Sequence, residues 1–86
     1  GPSDLSQSLG VTGDFFHDKC IDAIDRVSAA CQKHGKFPGM GSIYQDDLLA
    51  NYVDMDMHFI LSGTDLGSLM AGAQTRIRAL RSIELP

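Results

Sequence analysis

The stretch from Phe37 to Leu61, FPGMGSIYQDDLLANYVDMDMHFIL, decides the fold. Its last five residues, Met57–Leu61 (MHFIL), are a nearly continuous apolar run. Such a run suits a strand covered on both faces, as in parallel sheets. Residues 36–43 (KFPGMGSI) are a weaker strand candidate, because Pro38 and the glycines fit poorly inside a sheet. Between the two, Asp46 to about Val53 predicts a short helix. Asp46 and Asp47 stand at its N-terminus, where negative charge is favourable, and Leu48, Leu49, Tyr52 and Val53 turn inward. Strand, helix, strand makes a βαβ unit with a right-handed crossover. Two parallel strands alone leave both outer edges open, so the pattern asks for a neighbouring sheet.

On the N-terminal side, Phe16 to His34 predicts a helix. Cys20, Ile24, Val27, Cys31 and His34 recur at spacings that put them on one inward face. Asp14 is its expected N-cap, Gly35 its C′ residue, and Asp22 and Arg26 an i,i+4 pair. Residues 1–13 lack periodicity and read as a loop. On the C-terminal side, Thr64 caps a helix from Asp65 to Arg81. Its stripe is Leu66, Met70, Ala73, Ile77 and Leu80, and its basic end holds Arg76, Arg78 and Arg81.

Composition narrows the function classes. The chain has 86 residues, a net charge of -4, and ten Asp against one Glu. An acidic balance argues against nucleic-acid or anionic-membrane binding, which wants a basic face. No apolar run approaches the roughly 18–20 residues that span a bilayer. Cys20 and Cys31 make no disulfide framework, and residues 1–10 are no signal peptide, so a reducing cytoplasm is the expected compartment.

Several residues invite a chemical reading. His17, Cys20, Cys31 and His34 mimic a zinc signature in type. On one helix, however, His17 and His34 stand about 25 Å apart, and four ligands must converge on one ion. Buried cysteines and helix-end histidines fit better. Asp54 and Asp56 read as a solvated turn, and His58 as a core or wall histidine. Tyr44 follows a strand end, where it can line a pocket. Gly63-Thr64-Asp65 is a strand-to-helix turn of the kind that can hold an anion. The opening GPSDLSQSLG (1–10) sets one carboxylate, Asp4, among Gly, Pro and three Ser. A carboxylate with bare backbone N–H groups around it suits a hard cation together with a small carboxylate ligand.

That opening resembles the G-P-x-D-L-S-x-S-x-G stretch of the metal-dependent (class II) hydroxy-ketoacid or pyruvate aldolases, of the 4-hydroxy-2-oxoheptane-1,7-dioate and 2-dehydro-3-deoxyglucarate aldolase type. Gly35-Lys36, Gly39 and Phe59-Ile60-Leu61-x-Gly63-x-Asp65 look like later family positions, the last matching F-V-A-x-G-x-D. The resemblance covers essentially the whole chain. It makes Gly1-Pro2 native sequence rather than the scar of a cleaved tag.

The resemblance implies an α/β fold, the C-terminal third of a (β/α)8 TIM barrel. Residues 1–86 would be one incomplete segment of that domain: the loop after strand six, helix six, strand seven, helix seven, strand eight and helix eight. It implies reversible aldol cleavage of a 4-hydroxy-2-oxo acid to pyruvate and an aldehyde, with Mg²⁺, Mn²⁺ or Co²⁺ as cofactor. It makes Asp4 a metal ligand, and the backbone N–H groups of Ser3 and Asp4 holders of the pyruvate carboxylate. Gly41 falls at a substrate-facing position that is often larger in the family, such as Leu, which implies a roomier pocket and an altered substrate preference. The second metal ligand, the arginine and the base would lie outside these residues, so no catalytic residue is expected within them, and the segment alone would be inactive. A homo-hexamer with a swapped last helix is implied as well. The rival readings are a small stand-alone α/β interaction module without catalysis and a related barrel lyase acting on a thioester.

Overall fold

The structure, a computed structural model, describes all of residues 1–86. Its elements are α1 (Pro2–Ser8), α2 (Asp18–Lys33), β1 (Gly39–Met40), α3 (Asp46–Asp54), β2 (Phe59–Ile60) and α4 (Asp65–Arg81). β1 and β2 pair in parallel, Gly39 opposite Phe59 and Met40 opposite Ile60, with α3 between them in sequence. The βαβ unit expected over 37–61 is therefore present, with strands only two residues long.

Local chemistry sets most boundaries. Thr64 caps α4 as expected, its Oγ1 accepting from the Gly67 N–H at 3.0 Å. Gly35 ends α2 at φ 65°. The Lys36 N–H reaches back to the Cys31 carbonyl at 2.8 Å and the Gly35 N–H to that of Gln32 at 3.4 Å. Those two bonds form a Schellman closure, which needs the left-handed residue that glycine supplies. The N-cap of α2 is His17 rather than Asp14: its Nδ1 accepts from the Lys19 N–H at 3.1 Å.

Residues 2–8 are helical, not a loop. Pro2 presets the helical φ at the first turn, where a missing N–H costs nothing. Ser6 is fully buried. Its Oγ donates to the Ser3 carbonyl at 2.8 Å and accepts from the Gly13 N–H at 3.1 Å, which straps the following turn to the helix. Seven residues with one inward leucine carry no readable period, so only these contacts reveal the element.

The core lies on the helical side of the sheet. Ile24 of α2, Ile43, Leu48 and Tyr52 of α3, and Met57 form it, with Leu5, Phe15, Met40 and Met55 packed around them. The inward face of α2 is Cys20, Ile24 and Ser28, a narrower stripe than expected, whereas Val27 and His34 are exposed and Cys31 is half-buried. Leu48 and Tyr52 of α3 are buried, but Val53 is exposed. Asp22 and Arg26 form no ion pair; the chain's one pair joins His58 to Asp56.

Two expectations about burial fail in the same way. The run 57–61 is not covered on both faces: Met57, ahead of the strand, is buried, and Ile60 is half-buried, while Phe59 and Leu61, on the face opposite Ile60, are exposed. The stripe of α4 meets nothing, and no residue of that helix is buried. The radius of gyration is 17.6 Å, against about 12 Å for a compact domain of this length. The accessible surface is 6567 Å², against about 5,000 Å² for a compact monomer of this mass. No helix is long and apolar enough to cross a membrane, and both cysteines are free.

Candidate functional site

The strands point their C-terminal ends toward one rim. There β1 runs into Gly41–Gln45 and β2 into Leu61–Thr64. Ser3, Ser42, Tyr44 and Gln45 line one cleft on this rim. Tyr44 also lines a second cleft with Ser62, Gly63, Thr64 and Gly67. Tyr44 thus stands between the start of α1 and the start of α4. Its pocket-lining role was legible from its place after a strand; its bridging position was not, because it depends on how the loops fold. Ser42 holds φ 72°, a left-handed conformation unusual for serine. Strain of this kind collects at functional loops.

Ser3 and Asp4 occupy the first turn of α1, and both are exposed. Helix geometry leaves their N–H groups without carbonyl partners four residues back. Pro2 has no N–H to offer. The first hydrogen bond closing the helix comes from the Leu5 N–H to the Gly1 carbonyl at 2.9 Å. Two free donors and one carboxylate therefore sit together on one turn. No ion pair engages Asp4. It fits as one oxygen donor to a hard cation, but no group of three His, Cys, Asp or Glu side chains gathers anywhere in the chain. A full ligand set needs further groups.

The zinc-like residues lie along one helix, with His17 and His34 at its two ends and Cys20 and Cys31 between. His58 is not a core histidine. Its side chain is 65% exposed and its Nε2 is 3.4 Å from Asp56 Oδ1. Asp56, at φ 71°, also accepts from Gln32 Nε2 at 2.8 Å, so this acid ties the end of α2 to the approach to β2. Its role is structural.

Gly39 and Gly41 differ in what they permit. A Cβ on Gly39 would lie 2.3 Å from the Phe59 carbonyl oxygen, so the strand backbones themselves require glycine there. A Cβ on Gly41 would lie 2.8 Å from Leu61 Cδ1, a side-chain atom. The room left by Gly41 is thus taken by Leu61. Sequence reasoning passed over Leu61; the signal was a leucine where the resembled strand-eight motif has alanine.

The one titration that departs from its ordinary value belongs to Tyr52. Burial, and secondarily the neighbouring Cys20, push its phenol upward. Its hydroxyl is buried without a hydrogen-bond partner. It borders a small cavity with Gly1, Pro2, Val27 and Met57.

The chain is similar to a 4-hydroxy-4-methyl-2-oxoglutarate aldolase of Hapsidospora irregularis, 34% identical over 99% of this chain and 32% of that protein. It is similar to a 5-keto-4-deoxy-D-glucarate aldolase of Klebsiella pneumoniae, 34% identical over 86% of this chain and 28% of that protein. An HpcH/HpaI aldolase from Desulfitobacterium hafniense shares its fold at a TM-score of 0.69 and 21% identity, over 98% of this chain and 32% of the other. No family model matches. The resemblance read from residues 1–10 and 59–65 is borne out: the relatives are aldolases. The chain spans about a third of their length or slightly less.

Proposed function

We propose that these residues are the last third of a (β/α)8 barrel that catalyses reversible, metal-dependent (class II) aldol cleavage of a 4-hydroxy-2-oxo acid to pyruvate and an aldehyde. The observation that carries the reading is the identity of 34% to an aldolase across 99% of the chain. The bare sheet face and the uncovered α4 support it, because the six remaining strands of the barrel and their helices would cover the one and an adjoining subunit the other.

In this reading the start of α1 binds the invariant half of the substrate. The N–H groups of Ser3 and Asp4 donate to the pyruvate carboxylate, helped by the positive end of the helix. The Asp4 carboxylate gives one oxygen to a divalent ion, Mg²⁺, Mn²⁺ or Co²⁺. When bound, that ion supplies Lewis acidity at the keto oxygen of pyruvate. Gly41 lets the wall beside the substrate be shaped by its neighbour. The base and the other ligands belong to parts of the barrel outside these residues, so the 86 residues alone are inactive. The swapped α4 of a hexamer would use Gly67, Ala71 and Gly72 for close approach to the adjoining subunit. The two free cysteines suit a reducing cytoplasm.

Exchange of pyruvate methyl protons in D₂O with Mn²⁺ tests the reading on the complete protein. Asp4→Ala is expected to lower exchange by at least about 100-fold, since losing even an outer partner of a metal ligand costs up to that much. A folded, Mn²⁺-loaded protein that exchanges no protons would overturn the aldolase assignment. An Asp4→Ala variant of full activity would remove the metal role alone.

A further inference from the structure

Gly41 and Leu61 are the next pair in the register set by Gly39 with Phe59 and Met40 with Ile60. The Leu61 N–H donates to the Met40 carbonyl at 3.0 Å, which extends the ladder one step past the strands. Side chains alternate across a sheet. Met40 packs on the helical core, so Gly39, Gly41, Phe59 and Leu61 face the other side. Phe59 and Leu61 are accordingly exposed.

The two glycines on that face are glycine for different reasons. At Gly39 the obstacle to a side chain is backbone, which cannot yield. At Gly41 the three nearest atoms are all Leu61 side chain: Cδ1 at 2.8 Å, Cβ at 3.3 Å and Cγ at 3.4 Å from the place of a Cβ. Gly41 has no positive φ to demand glycine. Only volume is contested, and one isobutyl group fills it from the neighbouring strand. It does so at the C-terminal end of both strands, beside the loops that carry Tyr44 and Ser62–Thr64.

From this we infer that Leu61 is a specificity-determining residue, setting the width of the site where the aldehyde half of the substrate lies. The inference rests on the aldolase reading above and deepens it. Ser3 and Asp4, at the start of α1, take the invariant carboxylate end. Leu61, on the last strand, meets the part of the substrate that varies. Because Leu61 and position 41 share one volume, shrinking the first is what admits a side chain at the second.

The test uses the complete enzyme with pyruvate and two aldehydes, acetaldehyde and the branched isobutyraldehyde. Pyruvate proton exchange is read in parallel as the half-reaction that needs no aldehyde. Leu61→Ala is expected to shift the kcat/KM ratio toward isobutyraldehyde by about 10-fold or more, and Leu61→Val by about threefold, as a few methylenes of pocket volume are worth. Gly41→Leu is expected to lose turnover with both aldehydes, and the double variant Gly41→Leu/Leu61→Ala to regain it. A ratio that stays within about twofold in a Leu61 variant still competent for exchange overturns the inference and leaves the aldolase reading standing. Failure of the double variant to regain turnover also overturns it. Absence of exchange in the unsubstituted enzyme overturns the aldolase reading itself, and this inference with it.

Discussion

Helices α3 and α4 carry similar apolar stripes and meet opposite fates. α3 buries Leu48 and Tyr52 between the sheet and α2, while α4, almost twice as long, buries nothing. All ten buried residues lie between Pro2 and Met57. Helical periodicity shows that a face exists. It does not show that the same chain contains the surface which that face needs. A seventeen-residue helix leaves its apolar stripe bare, next to a sheet with one naked face, as the proposed barrel and subunit contact would require.

Substitutions can break or sharpen this contrast. The largest effect is expected at Leu48, which is 4% exposed. Leu48→Ala should lower the unfolding free energy by about 2–5 kcal/mol in urea denaturation, the cost of lost burial plus a cavity. Gly39→Ala comes next. Its Cβ would collide with the Phe59 carbonyl. The forced shift of β1 should cost about 1–3 kcal/mol, with faster amide exchange at Phe59 and Leu61.

Tyr52→Phe removes an orphaned hydroxyl. It should leave stability unchanged or raise it by at most about 1 kcal/mol. It also carries a pH signature. The phenol is raised in the folded chain, so the stability it contributes is whole below its unfolded value of about 10 and is lost as pH rises through the folded value. Urea midpoints measured across that alkaline range should fall less steeply in Tyr52→Phe than in the unsubstituted chain.

The smallest effect belongs to α4. Ile77→Ala should change the stability of the isolated 86 residues by less than about 0.5 kcal/mol, as surface substitutions do. In the proposed hexamer the same substitution should cost about 2 kcal/mol or more, because an isoleucine covered there would lose its packing. An equal effect in both settings would contradict the view that α4 is a waiting interface.

Much of the candidate site could be read from residues 1–10. Asp4 stood out because a lone carboxylate amid Gly, Pro and Ser is rare, whereas Ser3 was marked only by the family resemblance; the two do share the first turn of α1. The helix beneath them could not be read. Its stability comes from the double hydrogen bond of Ser6 rather than from any period. His58 was misread as a core residue because an apolar run of five says nothing about which alternate positions face a partner. Leu61 escaped notice for the same reason: its importance lies across the strands, at Gly41.

The sequence by itself determined what depends on near neighbours. The caps at Thr64 and Gly35, the helices over 46–54 and 65–81, and the βαβ order follow from side chains within four residues of the bonds they make. Tertiary structure alone decided which faces are covered, which glycine yields to backbone and which to a leucine, and how Tyr44 comes to stand between two clefts. The reason is physical: hydrogen-bonded turns are local, whereas burial belongs to pairs of surfaces that the chain brings together from afar.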